Sequence, residues 1–292
     1  MENHAFQTAL WGLAVFTLLG LLFGFALAAV AMRFQVPVNP TVERVREQLP
    51  SANCGACGFA GCQVYAEAVV EKPEVPPNLC APGRGSVAQA VASLTHKEVG
   101  SIVDRLVVMR CHGTSAYARQ EAEYAGVNTC SAAVLVFGGP KACKNGCLGL
   151  GDCVRVCPFD ALFMGSRGIA EVKTDKCTGC GLCVSTCPKD LFELYPRSRR
   201  IELSCVAKDK GSVVRSTCMV GCILCRKCVS KCPAGAITWD GRTILIDHDM
   251  CQAYGPSCNE ACVDICPSTI LHRIGQAPRP EQPAEAVPAM GV

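Results

Sequence analysis

The sequence predicts an α+β protein held on a single N-terminal transmembrane helix, and three features carry that expectation. An uncharged apolar run extends from Ala5 to Met32. A glycine-rich stretch then gathers Cys54, Cys57 and Cys62, with Cys80 following. Finally, a proline-terminated cysteine run recurs between Cys143 and Cys266. The 24 cysteines among 292 residues would suggest a disulfide scaffold in a short secreted chain. Closely spaced cysteines followed by proline suit metal chelation better than bridges between distant loops. The net charge of +3, with no concentrated basic stripe, gives no reason to expect a nucleic-acid partner.

The apolar run is longer than the ~20 residues a spanning helix needs. Trp11 lies near one end and Arg33 closes the other, as interfacial aromatics and flanking basic residues do. Ala26, Ala28, Ala29 and Ala31 imitate a signal-peptide cleavage site. However, no lysine or arginine precedes the run, and it exceeds a signal core in length. Residues 1–33 are therefore expected to be an uncleaved anchor. Arg33, Arg44 and Arg46 follow it, and Glu43 and Glu47 count for little, which places the remainder on the cytoplasmic side of the inner membrane. Val36-Pro37-Val38-Asn39-Pro40 reads as an extended spacer, and Thr41 caps a short helix from Val42 to Leu49.

Residues 34–82 form the next expected domain. Cys54-x2-Cys57-x4-Cys62, with Cys80, offers four thiolates, the usual complement of a [4Fe–4S] cluster. Gly55, Gly58 and Gly61 let the backbone turn tightly there. Four cysteines also suit a structural zinc ion; the later cysteine runs favour iron–sulfur.

Two runs spell C-x2-C-x2-C-x3-C-P: Cys177, Cys180, Cys183, Cys187-Pro188, and Cys222, Cys225, Cys228, Cys232-Pro233. This is the bacterial ferredoxin pattern, in which the fourth cysteine ligates the neighbouring cluster. Each has a partner run: Cys143, Cys147, Cys153, Cys157-Pro158 before the first, and Cys251, Cys258, Cys262, Cys266-Pro267 after the second. The expected architecture is thus a pair of tandem two-[4Fe–4S] ferredoxin-like modules, residues 141–204 and 205–275. Carried over from the two-cluster pattern, Cys143, Cys147, Cys153 and Cys187 hold one cluster, and Cys177, Cys180, Cys183 and Cys157 its partner. In the second module the sets are Cys222, Cys225, Cys228 and Cys266, and Cys251, Cys258, Cys262 and Cys232. The spacings Cys143-x3-Cys147-x5-Cys153 and Cys251-x6-Cys258-x3-Cys262 are stretched, and Cys218 could replace Cys222. Thiols that must stay reduced until clusters are inserted fit the cytosolic side. Short strands are expected at Leu162-Phe-Met and Ile201-Glu-Leu, with a hairpin around Asp240-Gly241.

Residues 83–140 read as a helical connecting region, with helices over 86–94, 95–105 and 115–124. Cys111, Cys130, Cys205 and Cys218 stand outside every run. They are either small buried hydrophobes or the ligands of a sixth cluster. His112 reads as a hydrogen-bonding residue rather than a ligand. Gly146, Gly149 and Gly151 are interrupted by cysteines, which excludes a dinucleotide loop, and no nucleophile–base pair stands out. Arg155, Lys189 and Lys227 lie near ligands and either attract an acidic partner or are solvated surface. The tail, residues 276–292, carries Pro278, Pro280, Pro283 and Pro288 and is expected to be disordered.

Leu49-Pro-Ser-Ala-Asn-Cys-Gly-Ala-Cys-Gly-Phe-Ala-Gly-Cys62 after a single anchor resembles the B subunit of the Rnf complex, as does Gly146-Cys-Leu-Gly-Leu-Gly-Asp-Cys-Val-Arg-Val-Cys-Pro-Phe-Asp-Ala161. The resemblance covers about residues 1 to 270. It implies an electron-relay subunit with five or six [4Fe–4S] clusters, working between soluble ferredoxin and the membrane subunits of an ion-translocating ferredoxin:NAD oxidoreductase. It further implies that NAD chemistry and ion passage lie on other chains, so no catalytic residue is expected here. The competing readings are a polyferredoxin of another membrane enzyme, such as a hydrogenase or a redox-sensor reductase, and a zinc-binding interaction module.

Overall fold

The computed structural model describes residues 2–34 and 39–274, so the predicted tail and most of the predicted spacer lie outside the described residues. The chain divides into two units, Met1–Glu43 and Arg44–Val292. The first is dominated by α1 (Glu2–Arg33), whose stretch Leu10–Arg33 is long and apolar enough to cross a membrane. The next helix, α2 (Pro40–Gln48), starts earlier than the sequence suggested. Asn39, not Thr41, caps it: the Asn39 Oδ1 accepts the Thr41 N–H at 2.9 Å, and proline at the first helical position costs no hydrogen bond.

In the second unit, α3 (Cys62–Glu71) and α4 (Arg84–Thr95) pack with Tyr65, Ala66, Val69, Val91 and Ala92 buried. The Tyr65 hydroxyl donates to the Pro76 carbonyl at 3.0 Å. Burial first of all pushes its pKa up to about 12. The helix predicted over 95–105 is absent. His96 takes a left-handed conformation that ends α4, and Lys97 turns back to donate to the Lys72 and Val75 carbonyls. The chain then enters β1 (Arg105–Met109), where Leu106, Val107, Val108 and Met109 are all buried. The helix predicted over 115–124 is also absent. A turn at Thr114 leads into isolated bridges from Ala118 to Cys218 and from Gln120 to Lys141. Of the three helices expected in the connecting region only the first forms, as α4; beyond it the region holds β1 and the one-turn α5 (Cys130–Ala133).

From there the chain builds one plan twice. In the first half, α6 (Asp152–Arg155) leads to β2 (Leu162–Met164), which pairs with β3 (Ala170–Val172); α7 (Leu182–Thr186) leads to β4 (Phe192–Pro196), which pairs back with β1. In the second half, β5 (Ile201–Leu203) precedes α8 (Gly211–Thr217) and α9 (Lys227–Lys231). Then come β6 (Ile237–Trp239), β7 (Ile244–Ile246), α10 (His248–Tyr254), α11 (Ala261–Asp264) and β8 (Leu271–Arg273). Here β6 pairs with β7 and β5 with β8. Among the described residues there are four sheets, each two-stranded and antiparallel. The hairpin and the short strands at 162 and 201 fall where the sequence put them. Asp240 shapes the hairpin turn by accepting the Arg242 and Thr243 amides.

Each half has its own core. The first gathers Leu106, Leu191, Phe192 and Tyr195 with Cys147, Cys153, Cys177 and Cys183. The second gathers Ile201, Leu203, Ile237 and Ile244 with Cys222 and Cys262. Large-to-small changes at such sites cost about 2–5 kcal/mol. Leu203→Ala, at 1 % exposure, is accordingly expected to lower the denaturation midpoint of the loaded protein, measured by circular dichroism in urea.

Candidate metal centres

Short helices, tight turns and strand ends bring the cysteines together in fours. Cys54, Cys57, Cys62 and Cys80 converge after α2: burial pushes the Cys80 thiol up to about 11, and the sulfurs of Cys62, Cys54 and Cys57 add to the rise. The Asn53 side chain fixes the last turn of this loop by accepting the Cys62 N–H at 2.9 Å. Cys157, Cys177, Cys180 and Cys183 form a second group. Burial raises the Cys183 thiol to about 12, and Cys180, Cys177, Cys153 and Cys157 add to it. The Val107 amide, on β1, donates to Cys177 Sγ at 3.4 Å.

The third group departs from the expected set. A space of about 360 Å³ is lined by Cys130, Cys147, Cys153 and Cys187, not by Cys143. Burial and then the sulfurs of Cys147, Cys130 and Cys187 push the Cys153 thiol up to about 12. The sequence contains the reason. Counted back from Cys157-Pro158, the strict run puts Leu150 where the second cysteine belongs and Cys147 where the first belongs. The run is regular with one ligand missing, rather than stretched, and α5 supplies the fourth thiol.

Asp152 places that thiol. Its carboxylate accepts the Cys130 and Ser131 amides at 2.9 and 3.0 Å and the Ser131 hydroxyl at 2.6 Å, and it pairs with Arg155. Burial pushes the carboxyl up, but the Ser131 hydroxyl, the two amides and Arg155 outweigh it and hold it below its usual value. Asp152→Ala is expected to free Cys130, so that about four irons per chain are lost faster to a chelator than from the wild type, measured by iron content over time.

In the second half, Cys222, Cys225, Cys228 and Cys266 line a space of about 350 Å³. Cys232, Cys251, Cys258 and Cys262 line one of about 370 Å³. Arg200 stands beside the latter, with a guanidinium nitrogen 3.7 Å from Cys258 Sγ and a pairing to Glu260. Cys218 does not replace Cys222; it lies with Cys111, Cys143 and Cys205 around a further space of about 410 Å³. Cys130 and Cys143 have thus exchanged places relative to the sequence reading. Of the basic residues singled out, Arg155 and Lys189 are structural. Arg155 pairs with Asp152, and Lys189 donates to the Gly138 and Lys144 carbonyls. Lys227 is exposed on α9. His112 stacks on His272 with ring centroids 4.9 Å apart.

The donor set fits a cubane better than a single ion. Zinc draws four sulfurs to ~2.3 Å from one centre, and among the described residues no three His, Cys, Asp or Glu side chains are close enough to hold one metal ion. Four all-cysteine donors are what a [4Fe–4S] cluster requires.

One membrane-length apolar helix and a series of four-cysteine sites on small α+β units define a membrane-associated iron–sulfur protein. A 4Fe-4S dicluster domain model matches residues 142–194, and an Fe-S cluster model matches residues 49–82. The B subunit of the proton-translocating ferredoxin:NAD(+) oxidoreductase complex of Clostridium ljungdahlii is 46% identical over 92% of this chain and 93% of that protein. The B subunit of the ion-translocating oxidoreductase complex of Methanosarcina acetivorans is 39% identical over 89% of this chain and 96% of its own length. For the B subunit of the Na(+)-translocating ferredoxin:NAD(+) oxidoreductase complex of Acetobacterium woodii the values are 40%, 86% and 74%. The chain belongs to the B-subunit family of Rnf-type ion-translocating ferredoxin:NAD(+) oxidoreductase complexes.

Proposed function

We propose that this subunit passes electrons between soluble ferredoxin and the membrane subunits of its complex, through [4Fe–4S] clusters held by the cysteine groups. The cluster, when bound, takes up and releases one electron at a time without bond making. The chain's residues set the sites. The sets are Cys54, Cys57, Cys62 and Cys80; Cys157, Cys177, Cys180 and Cys183; Cys130, Cys147, Cys153 and Cys187; Cys222, Cys225, Cys228 and Cys266; and Cys232, Cys251, Cys258 and Cys262. Buried aliphatic side chains exclude water, and amides such as that of Val107 hydrogen-bond the sulfurs, which tunes potential. The basic residues after α1 support an orientation with the cysteine-bearing unit in the cytoplasm.

The observation that carries a relay, rather than isolated clusters, is adjacency of the groups. Cys180 of one group feels the sulfur of Cys54 from another, and Cys183 feels Cys153 of a third. The test is freeze-quench electron paramagnetic resonance of the full complex mixed with reduced ferredoxin. Sequential appearance of several reduced-cluster signals on this subunit is expected; ferredoxin oxidation with every cluster on this subunit remaining oxidised would overturn the reading.

A further inference from the structure

The two strict cysteine runs share their spacing but not their surface. We propose that the exposed basic face around Cys225, built by Arg226, Lys227, Lys231 and Trp239, is the docking surface for an acidic soluble electron-carrier protein. The carrier then exchanges electrons with the group of Cys222, Cys225, Cys228 and Cys266. The proposal rests on the relay reading, in which that carrier is ferredoxin, and gives it a place on the chain.

Cys225 is the only exposed cysteine among the described residues. Its counterpart in the first run, counted along C-x2-C-x2-C-x3-C-P, is Cys180. Cys180 is partly buried and feels the sulfur of Cys54, so another cysteine group of the same chain sits beside it. At the equivalent place in the second half, Cys225 is open. One-electron transfer falls off steeply with distance, and a visiting cluster therefore exchanges fastest with the group whose ligand reaches the surface. The transfer moves one electron: the carrier is oxidised by one as the Cys222 group is reduced by one, or the reverse, and no bond or proton moves.

The residues between the cysteines differ in the same sense. The first run has Gly179, Gly181, Leu182 and Thr186 where the second has Leu224, Arg226, Lys227 and Lys231. Gly179 and Gly181 take φ of 70° and 80°, and Leu224 and Arg226 keep that left-handed backbone at 52° and 58°. A Cβ is disfavoured there, so glycine suits position 226 better as far as folding goes. Strained residues of this kind cluster at functional sites. Arg226 lines the space of the Cys222 group and is itself exposed. Its guanidinium carbon lies 4.6 Å from the centroid of the exposed Trp239 ring, which puts the cation and the indole on one face.

The charge on this face is unbalanced. Lys227 and Lys231 are both exposed and stand one turn apart on α9, so they share a side of the helix. Among the described residues no carboxylate forms an ion pair with Arg226, Lys227 or Lys231. By contrast Arg155, Arg197 and Arg200, beside the other groups, are each paired. The Asp240 carboxylate is taken up by the Arg242 and Thr243 amides of the hairpin turn. An arginine on an aromatic ring, rimmed by lysines, has the make-up of a protein-binding patch. Its positive field steers a partner whose own cluster edge is lined with carboxylates. A small polar interface also suits a carrier that has to leave after each transfer.

The test uses the intact complex, prepared without oxygen, and an acidic bacterial ferredoxin, oxidised for binding and reduced for turnover. Lys227→Glu combined with Lys231→Glu is expected to weaken ferredoxin binding about ten-fold at low salt, measured by titration calorimetry, with the iron content kept. KM for ferredoxin should rise far more than kcat falls. The difference from the wild type shrinks as ionic strength rises, because salt screens exposed charges. Arg226→Gly should also weaken binding, while the denaturation midpoint of the loaded protein stays or rises. Unchanged binding in either variant would overturn the docking surface. So would a double variant whose complex falls apart on purification while the complexes that stay intact bind ferredoxin as before, since the face is then a contact between subunits. Failure of the relay reading looks different: the wild type binds ferredoxin through this face, yet no cluster on this subunit is reduced by it.

Discussion

Cys183→Ala, assembled into the complex, is expected to stop ferredoxin-driven NAD reduction, leaving only the rate of a complex without this subunit. Cys183 is 7 % exposed and shares its site with Cys157, Cys177 and Cys180. Its sulfur also lies within reach of Cys153, the ligand of the adjacent set. Alanine removes one of four donors, and three thiolates hold a cubane with an open corner that oxygen or chelators attack. The defect lies in a middle link: the group on one side is reached through Cys180 and Cys54, and that on the other through Cys153. The chain should lose about four irons while its remaining signals persist. The check is NAD reduction beside iron content. Unchanged ferredoxin oxidation with the iron lost would mean that electrons bypass this module.

A second large effect is expected on stability. Stripping the iron from the chain should unfold most of residues 44–274, seen as loss of protease resistance and of strand signal in circular dichroism. The physical ground is the poverty of the protein-only core. Each sheet has only two strands, and an isolated two-stranded hairpin is marginal in water. Most of α5 to α11 are one or two turns long, too short to stand alone. Both apolar cores include the cysteines themselves, and burial pushes several of these thiols upward, Cys222 to about 11 and Cys262 to about 12. Without metal the middle of each half is a set of protonated thiols around a space. Binding energy is then folding energy. Tyr65, Val69 and Val91 are buried outside both cysteine-containing cores, and their surroundings should be the last part to melt.

The parts legible in the sequence were those written in strict local spacing. The two C-x2-C-x2-C-x3-C-P runs marked one cysteine group in each half. The Asp240-Gly241 turn announced its hairpin, and the uncharged stretch announced α1. What could not be read locally was decided by pairing across the chain. Residues 105–109 form a strand because Phe192–Pro196 offers it a partner, and no local period in 95–109 reveals that. Cys130 becomes a ligand neighbour through Asp152, which is distant in sequence and attached to a run whose second cysteine is Leu150. That signal was present: the strict register, counted back from the proline, exposes the missing thiol and sets Cys143 free.

The relay stands or falls on whether the cysteine groups of one chain hold [4Fe–4S] clusters. The direct measurement is iron and acid-labile sulfide per full-length chain, prepared without oxygen and fully reconstituted. About 20 irons, one [4Fe–4S] cluster for each of the five sets, are expected. Bound zinc with almost no iron would contradict the relay altogether.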